Sequence, residues 1–182
     1  MTQMRGYFGV GVERLSKPRN AGAIFRTAHA FGASFLFGID ADVNLRKLRQ
    51  TDTSATARQA PLWEFSSVDA LDLPKGCQLV GIELTEDAVP LPSFRHPAQA
   101  AYVLGSERGS LTPELQARCD FIVQIPTHFC INVSTACAVT LYDRMLSRGR
   151  FAERPVRPGG PTEGRAPHVH GGIFTRLDDE TA

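Results

Sequence analysis

The sequence predicts an α/β fold: a mostly parallel sheet with helices on both faces. Short apolar runs bounded by Gly, Pro or charge look like buried strands, and helical patterns lie between them, an alternation that builds parallel sheets. The 182 residues, 42% of them hydrophobic, suffice for one sizeable core.

The strand runs are Tyr7 to Val12, Ser34 to Ile39, Gln78 to Leu84, Ala101 to Leu104 and Phe121 to Ile125. A first helix is expected over Asn20 to Phe31, with Ile24, Ala28 and Phe31 on one face, Asn20 as its cap and Gly32 as its stop. A second runs from Leu111 to Arg118 and opens at Thr112-Pro113. A third covers Asn132 to Leu146, started by Asn132 or Ser134, with Ala138, Tyr142 and Met145 aligned. Residues 121–142 carry no Lys, Arg, Asp or Glu, but Gln124, Pro126, Thr127, His128 and Asn132 break the run. A bilayer span needs about 20 predominantly apolar residues, so a buried strand followed by a buried helix is expected there, with no membrane. The domain is placed at residues 1–147 and a Gly/Pro/Arg-rich tail at 148–182.

Lys+Arg 20 against Asp+Glu 19 leaves a net charge of +1, so a polyanion would have to be met by a local patch. Two patches stand out. Arg46, Lys47, Arg49 and Arg58, offset by Asp52, give +3 over residues 45–58. The arginines from Arg144 to Arg176, seven against Glu153 and Glu163, give +5. Each is either a phosphate track or a solvated surface. The N-terminal apolar run breaks at Glu13, too short for a secretory signal, and a cytoplasmic location is expected. Cys77, Cys119, Cys130 and Cys137 form no C-x-x-C pair, so reduced thiols and no metal are expected. His168 and His170 lack a third ligand.

Several chemistries fail on spacing. Gly9-Val10-Gly11 opens a dinucleotide fingerprint, but its third glycine would fall at Arg14. No phosphate loop, H-E-x-x-H or G-x-S-x-G occurs. Three polar segments remain at the carboxyl ends of strands, where parallel sheets present ligands. Asn20 to Gly32 leaves a bare first turn at Gly22-Ala23, with Arg26 one turn on; Gly105-Ser106-Glu107 displays a carboxylate in a glycine-rich loop; Ile125-Pro126 leads into Asn132-Val133-Ser134. Read singly, these are a capped amphipathic helix, a turn and a buried cap.

As an ordered set they resemble the SpoU/TrmH family of RNA ribose 2'-O-methyltransferases, within the SPOUT superfamily. N-x-G-A-x-x-R-x-A-x-A-F-G is complete from Asn20 to Gly32, G-x-E falls at Gly105 to Glu107, and I-P followed by N-V-S at Ile125 to Ser134. The resemblance covers most of residues 7–147. It implies a deep C-terminal trefoil knot, an exception to the usual unknotted connection, and S-adenosylmethionine as methyl donor. Gly105, Ile125 and Cys130 would touch the donor through backbone atoms, with Leu84, Leu104, Ile131 and Asn132 beside them. It also implies a homodimer in which Arg26 of one subunit faces the methyl donor of the other.

The catalytic set that the resemblance implies is Arg26, Asn20, Glu107, Asn132 and Ser134. Arg26 either removes the ribose proton or, as a guanidinium, which is normally protonated, holds phosphate and oxyanion charge. Asn20 would orient Arg26 or the ribose, Glu107 would fix the arginine or the first-motif loop, and Asn132 with Ser134 would shape the junction of donor and ribose. RNA would be gripped by Arg19 and Arg26 together with Arg46, Lys47, Arg49 and Arg58. Transfer RNA is favoured over ribosomal RNA, because no separate RNA-binding domain stands ahead of Tyr7. Two positions depart from the family pattern: Cys130 stands where Ser is usual, and Ser110 where Gly is common. They keep two other readings open, an RNA-binding protein without methyl transfer and a methyltransferase acting on a base.

Overall fold

The computed structural model describes residues 6–41, 60–106, 109–151, 154–155 and 158–160, and the backbone of 169–170 and 172–173. Arg46, Lys47, Arg49, Arg58, Glu107 and His168 lie outside the described residues. The chain divides into two units, Met1–Arg150 and Phe151–Ala182.

In the first unit the strands are β1 (Tyr7–Glu13), β2 (Phe35–Ile39), β3 (Leu62–Phe65), β4 (Gln78–Ile82), β5 (Val89–Pro90), β6 (Gln99–Leu104) and β7 (Phe121–Gln124). Among the described residues the α-helices are α1 (Pro18–Ala30), α2 (Pro113–Arg118) and α3 (Val133–Arg148). All seven strands join one sheet in the order β3-β2-β1-β6-β4-β7-β5, and every pairing is parallel. β6 lies between β1 and β4, with Phe8 opposite Ala100 and Val80 opposite Tyr102. The expected α/β class and all five strand runs are present.

Alternation along the strands gives each sheet face its own core. Phe8, Val10, Val12, Tyr102 and Leu104 pack against α1 through Ile24 and Ala28 and against α3 through Cys137 and Leu141. Phe35, Phe37, Ala101 and Val103 pack on the opposite face with Leu111, Leu115 of α2 and Leu71. Helices therefore cover both faces, and α1 and α3 touch each other.

Four readings need correction. Asn20 does not cap α1: the cap position is Lys17, without a side-chain hydrogen bond, because Pro18 starts the helix two residues earlier. The inward stripe of α3 is Cys137, Thr140, Leu141 and Arg144. Of the residues aligned by spacing, Ala138, Tyr142 and Met145, Tyr142 is exposed. Two strands were missed, β3 and β5. Arg144, counted with the phosphate-gripping arginines, is only 2% exposed.

Gly32 does stop α1. It sits at φ +81°, its N–H donates to the His29 carbonyl at 2.8 Å, and the Ala33 N–H donates to the Ala28 carbonyl at 2.9 Å. This is the two-bond ending in which a left-handed residue turns the chain out of a helix.

Arg144 ties α3 to the amino end of the sheet. Nη1 donates to the Pro97 carbonyl at 2.7 Å and to the Tyr102 hydroxyl at 3.0 Å, and Nη2 donates to the carbonyls of Tyr7 at 3.2 Å and Ala98 at 3.1 Å. Its guanidinium carbon also stands 5.0 Å from the centre of the Phe8 ring. Tyr102 passes the chain on, with its oxygen 2.6 Å from His96 Nδ1, while His96 Nε2 lies 2.9 Å from Asp143 Oδ2. The carboxylate is an acceptor, so Nε2 carries the proton, Nδ1 accepts and the tyrosine donates. Burial pushes the His96 pKa below its ordinary value despite Asp143, and pushes Tyr102 up to about 12 despite Arg144.

In the second unit Val169–His170 and Gly172–Ile173 pair antiparallel. The Gly/Pro-rich tail thus contains a short strand pair that its composition did not announce.

Candidate active site at the carboxyl end of the sheet

The segments leaving β4, β6 and β7 at their carboxyl ends enclose a cleft of about 410 Å³. That is within the range of about 300–1,000 Å³ usual for small-molecule sites. Apolar side chains from Ile82, Leu84, Leu104, Ile125 and Ile131 line it, with polar groups from Glu83, Ser106, Ser110 and Thr127. Gly105 keeps one wall open to backbone: a Cβ there would stand 3.1 Å from the Leu111 amide nitrogen and 3.3 Å from the Gly109 carbonyl oxygen. A side chain at this position would push the loop outward.

Two carboxylates hold the far end of that loop. Glu83, just past β4, accepts from the Leu111 N–H through Oε2 at 2.8 Å and from the Leu84 N–H through Oε1 at 2.8 Å. Glu13, the buried last residue of β1, accepts from the Thr112 N–H at 2.8 Å and from the Thr112 hydroxyl at 2.5 Å. The same hydroxyl oxygen caps α2 by accepting from the Leu115 N–H at 3.3 Å. The loop between β6 and α2 is thereby anchored to strands on both sides of β6. Bonds from N–H groups to ionised carboxylates are among the stronger neutral-donor contacts.

On the two faces of the sheet, burial drives the Cys119 and Cys137 thiols up to about 12, which leaves them as neutral packing groups.

On the other side of the cleft, Asn132 caps α3: its Oδ1 accepts from the Ser134 N–H at 2.9 Å and from the Ser134 hydroxyl at 2.6 Å. Its Nδ2 lies 3.5 Å from Asn20 Oδ1, at the limit of a hydrogen bond. The first and third motifs, 112 residues apart, therefore meet.

Of the residues assigned to the donor, Leu84, Leu104, Gly105, Ile125, Cys130 and Ile131 line the cleft, and Asn132 stands behind it as the cap of α3. Cys130 and Ser110, the two departures from the family pattern, are both on its wall. Arg19 and Arg26 are exposed on α1, away from the cleft lining of their own chain. Gly22 faces open space, with nothing within 4 Å of where its Cβ would be. Sequence reasoning missed Glu13 and Glu83. Their signal was available: each is an acid placed directly at or after the carboxyl end of a buried strand.

The cleft suits S-adenosylmethionine in its donor set. Apolar walls would receive an adenosyl group, and backbone at Gly105, Ile125 and Cys130 would supply hydrogen bonds without a bulky side chain in the way. Among the described residues no group of three His, Cys, Asp or Glu has the arrangement of a metal site, and no helix is long and apolar enough to cross a membrane.

Known proteins resemble this chain in sequence and in fold. The chain is 28% identical over 152 residues to the 23S rRNA (guanosine-2'-O-)-methyltransferase RlmB of Coxiella burnetii, covering 79% of this chain and 59% of that protein. It is 26% identical over 144 residues to the tRNA (guanosine(18)-2'-O)-methyltransferase of Escherichia coli K12, covering 76% of this chain and 63% of that one. The chain thus spans about three-fifths of the length of these curated relatives. Among solved structures, the SpoU methyltransferase AviRb from Streptomyces viridochromogenes in complex with AdoMet superposes with a TM-score of 0.68 at 23% identity, over 80% of this chain and 62% of that one, which shows a shared fold. The family model described as the SpoU rRNA Methylase family matches residues 8–142, nearly the whole of the sheet, the cleft and the motif segments, and the chain belongs to that family.

Proposed function

We propose that this chain transfers a methyl group from S-adenosylmethionine to the 2'-hydroxyl of an RNA ribose, working as a homodimer in the cytoplasm. Transfer RNA is its favoured substrate and ribosomal RNA the alternative, the two classes named for its relatives. The observation that carries the reading is the cleft: six residues that the motif resemblance assigns to the donor come together on its wall. The implied trefoil knot belongs to the same proposal. Its support is the central place of β6 and the return of α3 onto α1.

When bound, S-adenosylmethionine supplies an electrophilic methyl group on a positively charged sulfur. Leu84, Leu104 and Ile131 give the cleft apolar walls, and a donor seated against them would displace water and strengthen electrostatic contacts inside. Glu13 and Glu83 hold the α2 end of the β6–α2 loop at Leu111 and Thr112. Asn132 and Asn20 join the donor side to α1, the helix that carries Arg26. Arg26 acts on the ribose hydroxyl, as proton acceptor or as the cation that offsets developing oxyanion charge. Because it lies outside its own chain's cleft lining, the reading places it in the cleft of the partner subunit.

Single-turnover methylation of total transfer RNA and ribosomal RNA with labelled donor tests this. Wild-type product should survive alkali as a labelled dinucleotide, the mark of a ribose methyl; label recovered in a mononucleotide would sink the ribose assignment. Arg26→Ala should lower the rate by about 100-fold or more at saturating RNA. A wild-type rate in that variant removes Arg26 from the chemistry.

A further inference from the structure

Phe129 is 78% exposed, the most exposed of the large hydrophobic side chains among the described residues. It belongs to neither apolar cluster, although burying such a ring is worth about 1.5–3 kcal/mol. The turn that carries it is held rather than loose. Thr127 N–H donates to the Ile125 carbonyl at 2.8 Å, and the Thr127 hydroxyl donates to the carbonyl of Phe129 itself at 2.8 Å. Thr127 and Cys130, on either side of Phe129, line the cleft. An aromatic ring is thus presented to solvent on a fixed turn beside the place where methyl transfer is proposed.

We propose that Phe129 is a stacking platform for an unpaired nucleobase of the RNA, holding the target nucleotide or its neighbour beside the cleft. The proposal rests on the RNA methyltransferase reading and adds a positioning residue to it. RNA is recognised chiefly through unstacked bases, which lie on aromatic rings, and each such contact is worth about 1–3 kcal/mol. Phe129 has a bare apolar face and no charge, so it would accept any base and leave the choice of nucleotide to other groups. A 2'-hydroxyl in a stacked helix is held by its neighbours, and a splayed nucleotide pinned by its base brings its ribose to a fixed place.

The test uses the full chain with bound S-adenosylmethionine and a short single-stranded oligoribonucleotide carrying 2-aminopurine, whose fluorescence falls on stacking. Wild type should quench the probe. Phe129→Ala should abolish the quenching and weaken RNA binding by about 10- to 100-fold, while calorimetric affinity for the donor stays within about 2-fold. Phe129→Tyr should restore both RNA readouts to within about 3-fold of wild type. Quenching that persists in Phe129→Ala overturns the proposal, as does a wild type that binds donor yet leaves the probe bright. So does a sedimentation shift from dimer to monomer in Phe129→Ala, which would make the ring a subunit contact. Failure of wild type to bind either donor or RNA would instead bring down the functional reading beneath it.

Discussion

At the amino ends of β1 and β6 a single buried guanidinium donates to three backbone carbonyls and a tyrosine hydroxyl; at the carboxyl ends of β4, β6 and β7 the backbone is left open around a cleft. The first end is closed by a positive group satisfying carbonyl oxygens. The second is shaped by negative groups, Glu13 and Glu83, satisfying N–H groups of the loop. The lesson is a division of labour in which one end contributes stability and the other contributes a site.

Breaking the closed end should have the largest effect. Arg144→Met removes a buried donor from the Tyr102 hydroxyl and from the carbonyls of Tyr7, Pro97 and Ala98, of which Ala98 keeps the Tyr7 N–H and Tyr102 keeps His96, and should lower unfolding free energy by about 3–5 kcal/mol in urea titrations. A loss below about 1 kcal/mol would show that the network is ornamental. Donor affinity measured on the folded fraction should stay near wild type, since the cleft is at the opposite end.

Next comes the open end. Glu83→Gln keeps the size of the side chain but can serve only one of the two N–H groups through its single carbonyl oxygen. It should weaken donor binding by about 10-fold, with a stability cost of about 1–2 kcal/mol, read by calorimetry and urea titration. Equal stability and unchanged affinity would mean that the loop holds its shape without the carboxylate.

The smallest effect is pH dependence at the closed end. His96 has a lowered pKa in the folded state, so the unfolded chain binds its proton first as pH falls. Stability should therefore be full above the ordinary histidine value of about 6.5 and decline below it. Thermal melts across pH 7 to 5 should show this decline in wild type and a flatter profile in His96→Gln.

The same two ends explain what the sequence disclosed. Strands such as Phe35–Ile39 and Gln99–Leu104 are apolar runs, and periodicity finds them because both faces of the sheet are covered. β3 reads LWEF with a partly exposed pattern, and β5 is two residues with a proline, tolerable only because each lies at a sheet edge. Neither has the signature of a buried strand. Asn20 looked like a cap by residue type, whereas Pro18 set the start of α1. Most of the cleft-lining residues were legible because they follow strand ends in the second and third motifs. Glu13 and Glu83 showed only their place at strand ends; their role did not show, since the backbone N–H groups of Thr112 and Leu111 that they hold are 99 and 28 residues away. Arg144 was misread for a related reason: its charge is visible in the sequence, but the aromatic rings and carbonyls that surround it are brought there only by folding.

The middle strand of the sheet is among the last to be made. β6 lies between β1 and β4, so until residue 104 has emerged from the ribosome each of these strands lacks its β6 partner and keeps an unpaired backbone edge. Pairings separated by about ninety residues close slowly, and open edges invite other chains. Synthesis of this protein should consequently pass through a window of vulnerability that a pause before β6 would lengthen.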